Sequence, residues 1–232
     1  EYEKYKANLM GLPFVTAKNK FEALAANDAM VGSHGALKQL AVSLMKIAND
    51  IRWLASGPRS GISEIIIPSN EPGSSIMPGK VNPVIPEVVS QVAYKVIGND
   101  ATVTMAAEAG QLELNAFEPV AFYSLYQSVE ILTNAMNTLR INAIYGITAN
   151  KNKLDKDIAL SVGTITALVP HIGYKKSADI AKEALEKGIP VRDLVEKYNL
   201  LTKDELDEIF NPQEMTKPGI VGRHLLINKK NK

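Results

Sequence analysis

Residues 73 to 83 read Gly-Ser-Ser-Ile-Met-Pro-Gly-Lys-Val-Asn-Pro and separate two long apolar segments of the chain. A continuous helix is excluded in this stretch, because proline lacks the amide donor and glycine costs backbone entropy. The stretch is therefore predicted to be a loop, called here the signature loop. It carries two hydroxyls, one ammonium group and one carboxamide around apolar Ile76 and Met77. That composition is unusual for a solvated connector and typical of a loop that binds something.

Three long helical runs surround the signature loop, and they cover about residues 21–55, 87–109 and 120–145. Apolar residues recur in them at helical spacing with few breakers. The second run is apolar or small almost all round, which predicts a helix buried on every side. Three such helices imply an elongated bundle. Because three helices alone would leave the second helix poorly covered, we expect a missing segment or partner chains to cover its remaining sides.

The character of the chain changes after Gly146, where short amphipathic segments alternate with glycine and proline. We therefore expect an all-α fold in two parts. Residues 1–146 are predicted to form part of a central long-helix bundle, and residues 147–232 a small C-terminal helical domain. Short helices of that domain are expected at 177–187, at 191–198, and from a capping-box start at Thr202 to about Phe210.

Length and composition exclude several classes of protein. With 232 residues, 46% of them hydrophobic, the chain can bury a sizeable core, and a net charge of +1 gives no electrostatic footprint for nucleic acid or an acidic membrane. There is no cysteine, which excludes disulfides and thiolate chemistry. Neither a secretory signal nor an apolar run of about 20 residues is evident, so a cytoplasmic location is the default expectation. The chain opens with Glu-Tyr-Glu-Lys rather than methionine, and we expect it to be a carboxy-terminal piece.

The signature loop resembles, over eleven consecutive residues, that of the fumarase/aspartase superfamily of lyases. The flanking stretches that also resemble this superfamily are 11–16, 19–24, 43–52 and 57–59. The resemblance covers nearly the whole chain. It implies a homotetramer with each active site assembled from three subunits, and an N-terminal domain and bundle start that are absent here. This chain alone is therefore expected to be inactive.

The resemblance also implies a chemistry, the elimination of a group beta to a carboxylate. Removing the carbon-bound proton gives a doubly charged aci-carboxylate, which demands a base and preorganised cationic or hydrogen-bonding groups. By resemblance, Ser74 is that base in its alkoxide form, and Ser75 binds the carboxylate that becomes the aci-anion. Lys80 and Asn82 are implied to hold the other carboxylate, as a point charge and a directional donor. We expect no cofactor and no metal.

Each of these residues also has a structural interpretation. Without the resemblance, Gly-Ser-Ser would be a flexible turn and Lys80 a solvated surface charge. Glu87 could simply favour the positive end of a helix, whereas the resemblance implies that it supports the site by pairing with a histidine of another subunit.

The three histidines are not assigned to the site. His34 lies between Gly32 and Gly35, which suggest close approach of another helix, and it is predicted to be structural. His171 and His224 lie in the small domain and tail and receive no role. None of the three has the spacing of a metal site.

The substrate is suggested by three further stretches, 105–115, 171–174 and 215–220, which resemble aspartases more than fumarases. Conversion of L-aspartate to fumarate and ammonia is therefore the leading prediction, and fumarase chemistry on malate is the alternative. Adenylosuccinate and argininosuccinate lyases share the loop only loosely. A non-enzymatic helical assembly domain is a further alternative, although it would not need Ser74, Lys80 and Asn82 together.

Overall fold

The computed structural model describes residues 1–57, 59–71, 77 and 79–230, with the side chains of 227–230 excepted. The fold is all-α, as predicted, with 69% of the chain helical. The chain divides into two compact units, Glu1–Thr148 and Ala149–Lys232.

The first unit contains the three long helices. Its helices are α1 (Tyr2–Met10), α2 (Lys20–Ala25), α3 (Asp28–Leu54), α4 (Val84–Glu108) and α5 (Glu118–Asn142), followed by a 3₁₀ turn at Ile144–Gly146. A short strand, β1 (Ile65–Ile66), also lies in this unit, and a second short strand, β2 (Thr148–Ala149), spans the boundary between the two units in the sequence. The predicted runs at about 87–109 and 120–145 are thus confirmed as helices within a few residues.

The single helix predicted from about 21 to 55 is wrong, because the chain breaks between α2 and α3. Ala26 is extended, with φ −96° and ψ 139°, and the next helix begins after Asn27. The carbonyl of Leu24 instead accepts a hydrogen bond from the amide of Asn115 at 3.3 Å. Gly110 lies so close that a side chain there would meet the carbonyl oxygen of Ala25 at 2.7 Å. Contact with the loop between α4 and α5 therefore overrides local helix propensity.

Helix α4 packs between α3 and α5 through small and branched side chains. The buried apolar residues of the three helices are Met30, Ala41, Ala48, Ile51, Val89, Ala93, Val96, Val103, Ala106, Ala121, Leu132, Ala135 and Leu139. Within this chain α4 is incompletely covered, as expected of three helices alone, since Tyr94 and Met105 are 59% and 70% exposed. Two neighbouring helices cover only part of its surface. Apart from chain neighbours and the backbone of α3, no described atom lies within 4 Å of a Cβ built at Gly32 or Gly35, so the described residues do not include the close approach of another helix that was expected there.

A buried polar network joins α3, α4 and α5. The ring of His34, which is fully buried, places Nδ1 3.1 Å from Oδ1 of Asp100 and Nε2 2.9 Å from the hydroxyl of Ser128. Lys38 donates to the other oxygen of Asp100 at 2.5 Å, and Asn99 donates to Ser128 at 3.0 Å. Burial disfavours the charged form of Asp100, but the hydrogen bonds from Lys38 and His34 outweigh it and lower the pKa of this carboxyl. These contacts agree with the predicted structural role of His34.

The second unit is built from short helices around a core of its own. Its helices are α6 (Lys151–Leu160), α7 (Ile165–Ile172), α8 (Tyr174–Lys187), α9 (Val191–Lys197), α10 (Lys203–Ile209), α11 (Pro212–Met215) and α12 (Arg223–Lys230). The predicted capping box is confirmed: the Thr202 hydroxyl accepts from the amide of Glu205, whose carboxylate accepts from the amide of Thr202. The core of the second unit consists of Leu168, Ile180, Ala184, Val191, Leu194, Val195, Leu201, Leu206 and Ile209.

Within the described parts of the chain, no helix combines the length and apolarity that crossing a bilayer requires.

Candidate functional site

A cleft of about 970 Å³ lies where α3 ends and α4 begins. The C-terminal end of α3 contributes Asn49, Arg52 and Trp53, and the described end of the signature loop contributes Lys80 and Asn82. Further lining residues are Ala55, Ser56, Gly57, Ser63, Ile65, Ile66, Ile67, Met77, Gly79, Val81 and Pro83. The cleft thus combines apolar walls with a few converging polar groups, which is the usual composition of a small-molecule site.

Two of the predicted site residues, Lys80 and Asn82, line this cleft. The amide of Lys80 donates to the carbonyl of Met77 at 3.3 Å, and Gly79 adopts φ +77°, a left-handed conformation that favours glycine. The chain therefore turns tightly just before Lys80. Lys80 is exposed and Asn82 is half-buried. Ser74 and Ser75 lie outside the described residues.

The end of the signature loop is fixed by the start of α4. Pro83 occupies the N-cap position of that helix, and its carbonyl accepts the amide of Glu87 at 3.0 Å. Pro86, which is buried, lies in the first helical turn, where a missing amide hydrogen leaves no bond unmade. Both prolines thus lie where α4 begins. Asn82 is consequently held one residue from a rigid helix.

Glu87 lies in the first turn of α4, where a carboxylate favours the positive end of the helix dipole. Its Oε1 is 3.7 Å from a guanidinium nitrogen of Arg52 on α3, and both side chains are partly exposed. Pairing of Glu87 with a histidine of another subunit stays a prediction. Arg52 lies in one of the flanking stretches that resemble the superfamily, and the sequence alone predicts no role for it. A basic residue in the last turn of a helix beside a loop was the signal that could have identified it.

A tight turn after α3 also lines the cleft, through Ser56, Gly57 and Ser63. The hydroxyl of Ser56 accepts a hydrogen bond from the backbone amide of Ile62 at 3.0 Å, and the backbone amide of Glu64 donates one to the carbonyl of Leu54 at 2.9 Å. A side chain added at Gly61 would lie 2.4 Å from the backbone of Ser56. Glycine at this position therefore lets the turn fold back on the end of α3.

The charges of the cleft favour an anionic ligand. Lys80 and Arg52 are cations, and Asn49 and Asn82 add carboxamides that can donate hydrogen bonds. A carboxylate can be bound by an ammonium group together with a directional amide donor. In the described ranges, no group of three or more His, Asp or Glu side chains is placed to hold a metal ion.

The other two histidines lie in the second unit. Nε2 of His171 is 2.8 Å from the carbonyl oxygen of Val221, and Nε2 of His224 is 3.4 Å from a carboxylate oxygen of Glu208. His171 thereby connects α7 to the chain segment before α12. These contacts require no role in catalysis.

Two protein families match separate parts of the chain. A family described as lyase matches residues 1–98, which contain α1 to α3, the signature loop and the start of α4. A family described as fumarase C C-terminus matches residues 165–217 in the second unit.

Individual relatives agree with these families. An aspartate ammonia-lyase of Bacillus subtilis is 48% identical over 96% of this chain and 47% of its own length. A class II fumarate hydratase of the same organism is 49% identical over 90% of this chain and 46% of its own length. The solved structure of a fumarate lyase:delta crystallin from Brucella melitensis superposes with a TM-score of 0.87 at 47% identity, covering 91% of this chain and 46% of the other. The chain thus spans about half the length of the relatives it matches.

Proposed function

We propose, because this chain belongs to the fumarase/aspartase superfamily of lyases, that the protein eliminates a group beta to a carboxylate of a small dicarboxylic acid and releases fumarate. One observation carries the proposal. The eleven-residue signature loop ends in Lys80 and Asn82, and both residues line a cleft whose charges suit a carboxylate. A dicarboxylate needs such a cationic and hydrogen-bonding anchor away from its reacting carbon.

In the proposed reaction, Lys80 and Asn82 hold the substrate carboxylate next to the carbon that carries the leaving group. Ser74, as an alkoxide, takes a proton from the adjacent carbon, and the electron pair moves into the second carboxylate to give the aci-anion. Ser75 and nearby backbone amides stabilise that anion. The electron pair of the aci-anion then returns to form the double bond of fumarate, and the leaving group departs with the pair of the broken bond, as ammonia from the ammonium group of aspartate or, from malate, as hydroxide that takes up a proton to become water. Positive charge and amide donors around Ser74 are needed to favour its alkoxide.

We propose L-aspartate as the substrate and ammonia as the leaving group. The stretches 105–115, 171–174 and 215–220 resemble aspartases, and the aspartate ammonia-lyase relative matches a slightly larger share of the chain than the fumarate hydratase does. Hydration of fumarate to malate is the second candidate, because the two B. subtilis relatives are nearly equal in identity at 48% and 49%.

We further propose that the active protein is a homotetramer that completes its sites with residues of neighbouring subunits, including a histidine opposite Glu87. The three long helices support this proposal, because they leave many large apolar side chains exposed. On α4 and α5 these are Val88, Tyr94, Met105, Val120, Phe122, Tyr123, Tyr126, Val129 and Ile141.

The complete protein tests the proposed function in a spectrophotometric assay that follows fumarate formed from L-aspartate and, in parallel, from L-malate. Fumarate from aspartate alone is the expected result. Fumarate from malate alone would retain the elimination chemistry and replace the substrate. Activity with neither compound would contradict the enzymatic proposal and favour the helical assembly domain.

A further inference from the structure

Arg52 stands out among the residues of the cleft because it joins two helices at the end of the signature loop. It lies in the last turn of α3. One guanidinium nitrogen is 3.4 Å from Oδ1 of Asn49 on the same helix, and the other is 3.7 Å from Oε1 of Glu87 on α4. The guanidinium is thereby held from two sides on the cleft wall.

Through Glu87, the position of Arg52 is coupled to the residues that face the ligand. The amide of Glu87 donates to the carbonyl of Pro83, and Pro83 directly follows Asn82. The backbone from Lys80 to Glu87 is short, directly follows the turn at Gly79 and is helical from Val84 onward. Because this segment is short and partly helical, a shift of Glu87 relative to α3 would also displace Lys80 and Asn82.

The contact between Arg52 and Glu87 has little value as a stabilising ion pair by itself. The side chains are 41% and 39% exposed, and pairs of that exposure contribute little to stability. The planar guanidinium of Arg52 nevertheless suits a role in fixing the position of Glu87 relative to α3, because it can contact an amide oxygen and a carboxylate at once.

We propose that Arg52 is a positioning residue that sets the placement of Lys80 and Asn82 by anchoring Glu87 to the end of α3. The inference rests on the proposed function, because the reaction requires those two groups to hold one substrate carboxylate. Misplacement by as little as about 1 Å is enough to slow an enzymatic reaction strongly.

The test compares Arg52→Gln with Arg140→Gln in the complete protein. Arg140 is a matched control because it also lies in the last turn of a long helix, is exposed and contacts the hydroxyl of Tyr145 rather than the cleft. Amide hydrogen exchange is measured by mass spectrometry on peptides spanning residues 79–90. We expect severalfold faster exchange there in Arg52→Gln, with peptides of α5 unchanged, and wild-type exchange at 79–90 in Arg140→Gln.

Kinetics provide the second measurement. Arg52→Gln is expected to lower kcat/KM by about tenfold or more, Arg52→Lys to recover part of that loss, and Arg140→Gln to leave kcat/KM within about twofold of wild type. An amide exchange rate at 79–90 that equals the wild-type rate in Arg52→Gln would overturn the proposal. An equal increase of that rate in Arg52→Gln and Arg140→Gln would overturn it as well. If the wild-type protein releases fumarate from neither substrate, the proposed function fails and the catalytic part of this inference fails with it. The exchange measurement would still decide whether Arg52 anchors the loop.

Discussion

Ser128→Ala is the substitution that most directly tests the buried polar network between the three long helices. Ser128 is fully buried, and its hydroxyl lies 2.9 Å from Nε2 of His34 and 3.0 Å from the amide nitrogen of Asn99. Asn99 keeps two further acceptors after the substitution, the side chain of Gln127 and the carbonyl of Ser124. Nε2 of His34 then loses its hydrogen-bond partner in a site that water does not reach.

The expected cost follows from that one unpaired nitrogen. Leaving a buried polar group without a hydrogen-bond partner costs about 1–3 kcal/mol, and the loss of one oxygen atom adds little cavity volume. We therefore expect Ser128→Ala to lower the free energy of unfolding of the first unit by about 2 kcal/mol.

Urea unfolding at a fixed protein concentration, followed by circular dichroism, measures this difference. Ser124→Ala is the matched control: Ser124 is also buried on α5, and it gives the network its backbone carbonyl, which alanine retains. The control should lose less than about 1 kcal/mol. If Ser128→Ala costs no more than Ser124→Ala, the network does not stabilise the helices and the reasoning is refuted.

Three other substitutions test separate parts of the structure. Because the folded-state pKa of Asp100 is lowered, its carboxylate stabilises the fold above the ordinary aspartate pKa of about 3.9, and this contribution is lost as the pH falls through the folded-state value. The stability of the wild-type protein, measured by urea unfolding at a series of pH values, should therefore fall more steeply than that of Asp100→Asn as the pH is lowered from about 5 to about 2, and equal losses in the two proteins would contradict this. Thr202→Ala removes the capping box of α10 and should cost about 1 kcal/mol in thermal or urea unfolding of the second unit; an unchanged midpoint would contradict the role of the cap. Gly61→Ala should distort the turn that places Ser56 in the cleft, and it should lower the kcat/KM of the complete protein several-fold more than the control Gly163→Ala does. Equal kcat/KM values in the two variants would show that the turn tolerates a side chain.

Most of the fold could be predicted from local patterns. The spacing of apolar residues identified α4 and α5, and the Thr202 to Glu205 pattern identified the start of α10. The break at Ala26 could not be predicted, because it depends on a hydrogen bond between Leu24 and Asn115, which are far apart in sequence. The partners of His34 were not predictable for the same reason, since Asp100 and Ser128 lie 66 and 94 residues away.

The candidate site was predictable in part. Lys80 and Asn82 were selected because the signature loop resembles a known one, and the structure places both on the same cleft. Arg52 was not selected, because its importance depends on the distance to Glu87 across two helices. The roles proposed for Ser74 and Ser75 still depend on the resemblance, since both residues lie outside the described ranges.

The most direct test of the central claim is the kcat of Ser74→Ala in the complete protein, with Ser75→Ala measured beside it. If Ser74 removes the carbon-bound proton, its alanine variant loses a factor of about 10²–10⁴ in kcat while its affinity for a dicarboxylate inhibitor stays within about threefold of wild type. Ser75→Ala should instead retain part of the activity. A Ser74→Ala protein that forms fumarate at nearly the wild-type rate would contradict the proposed mechanism.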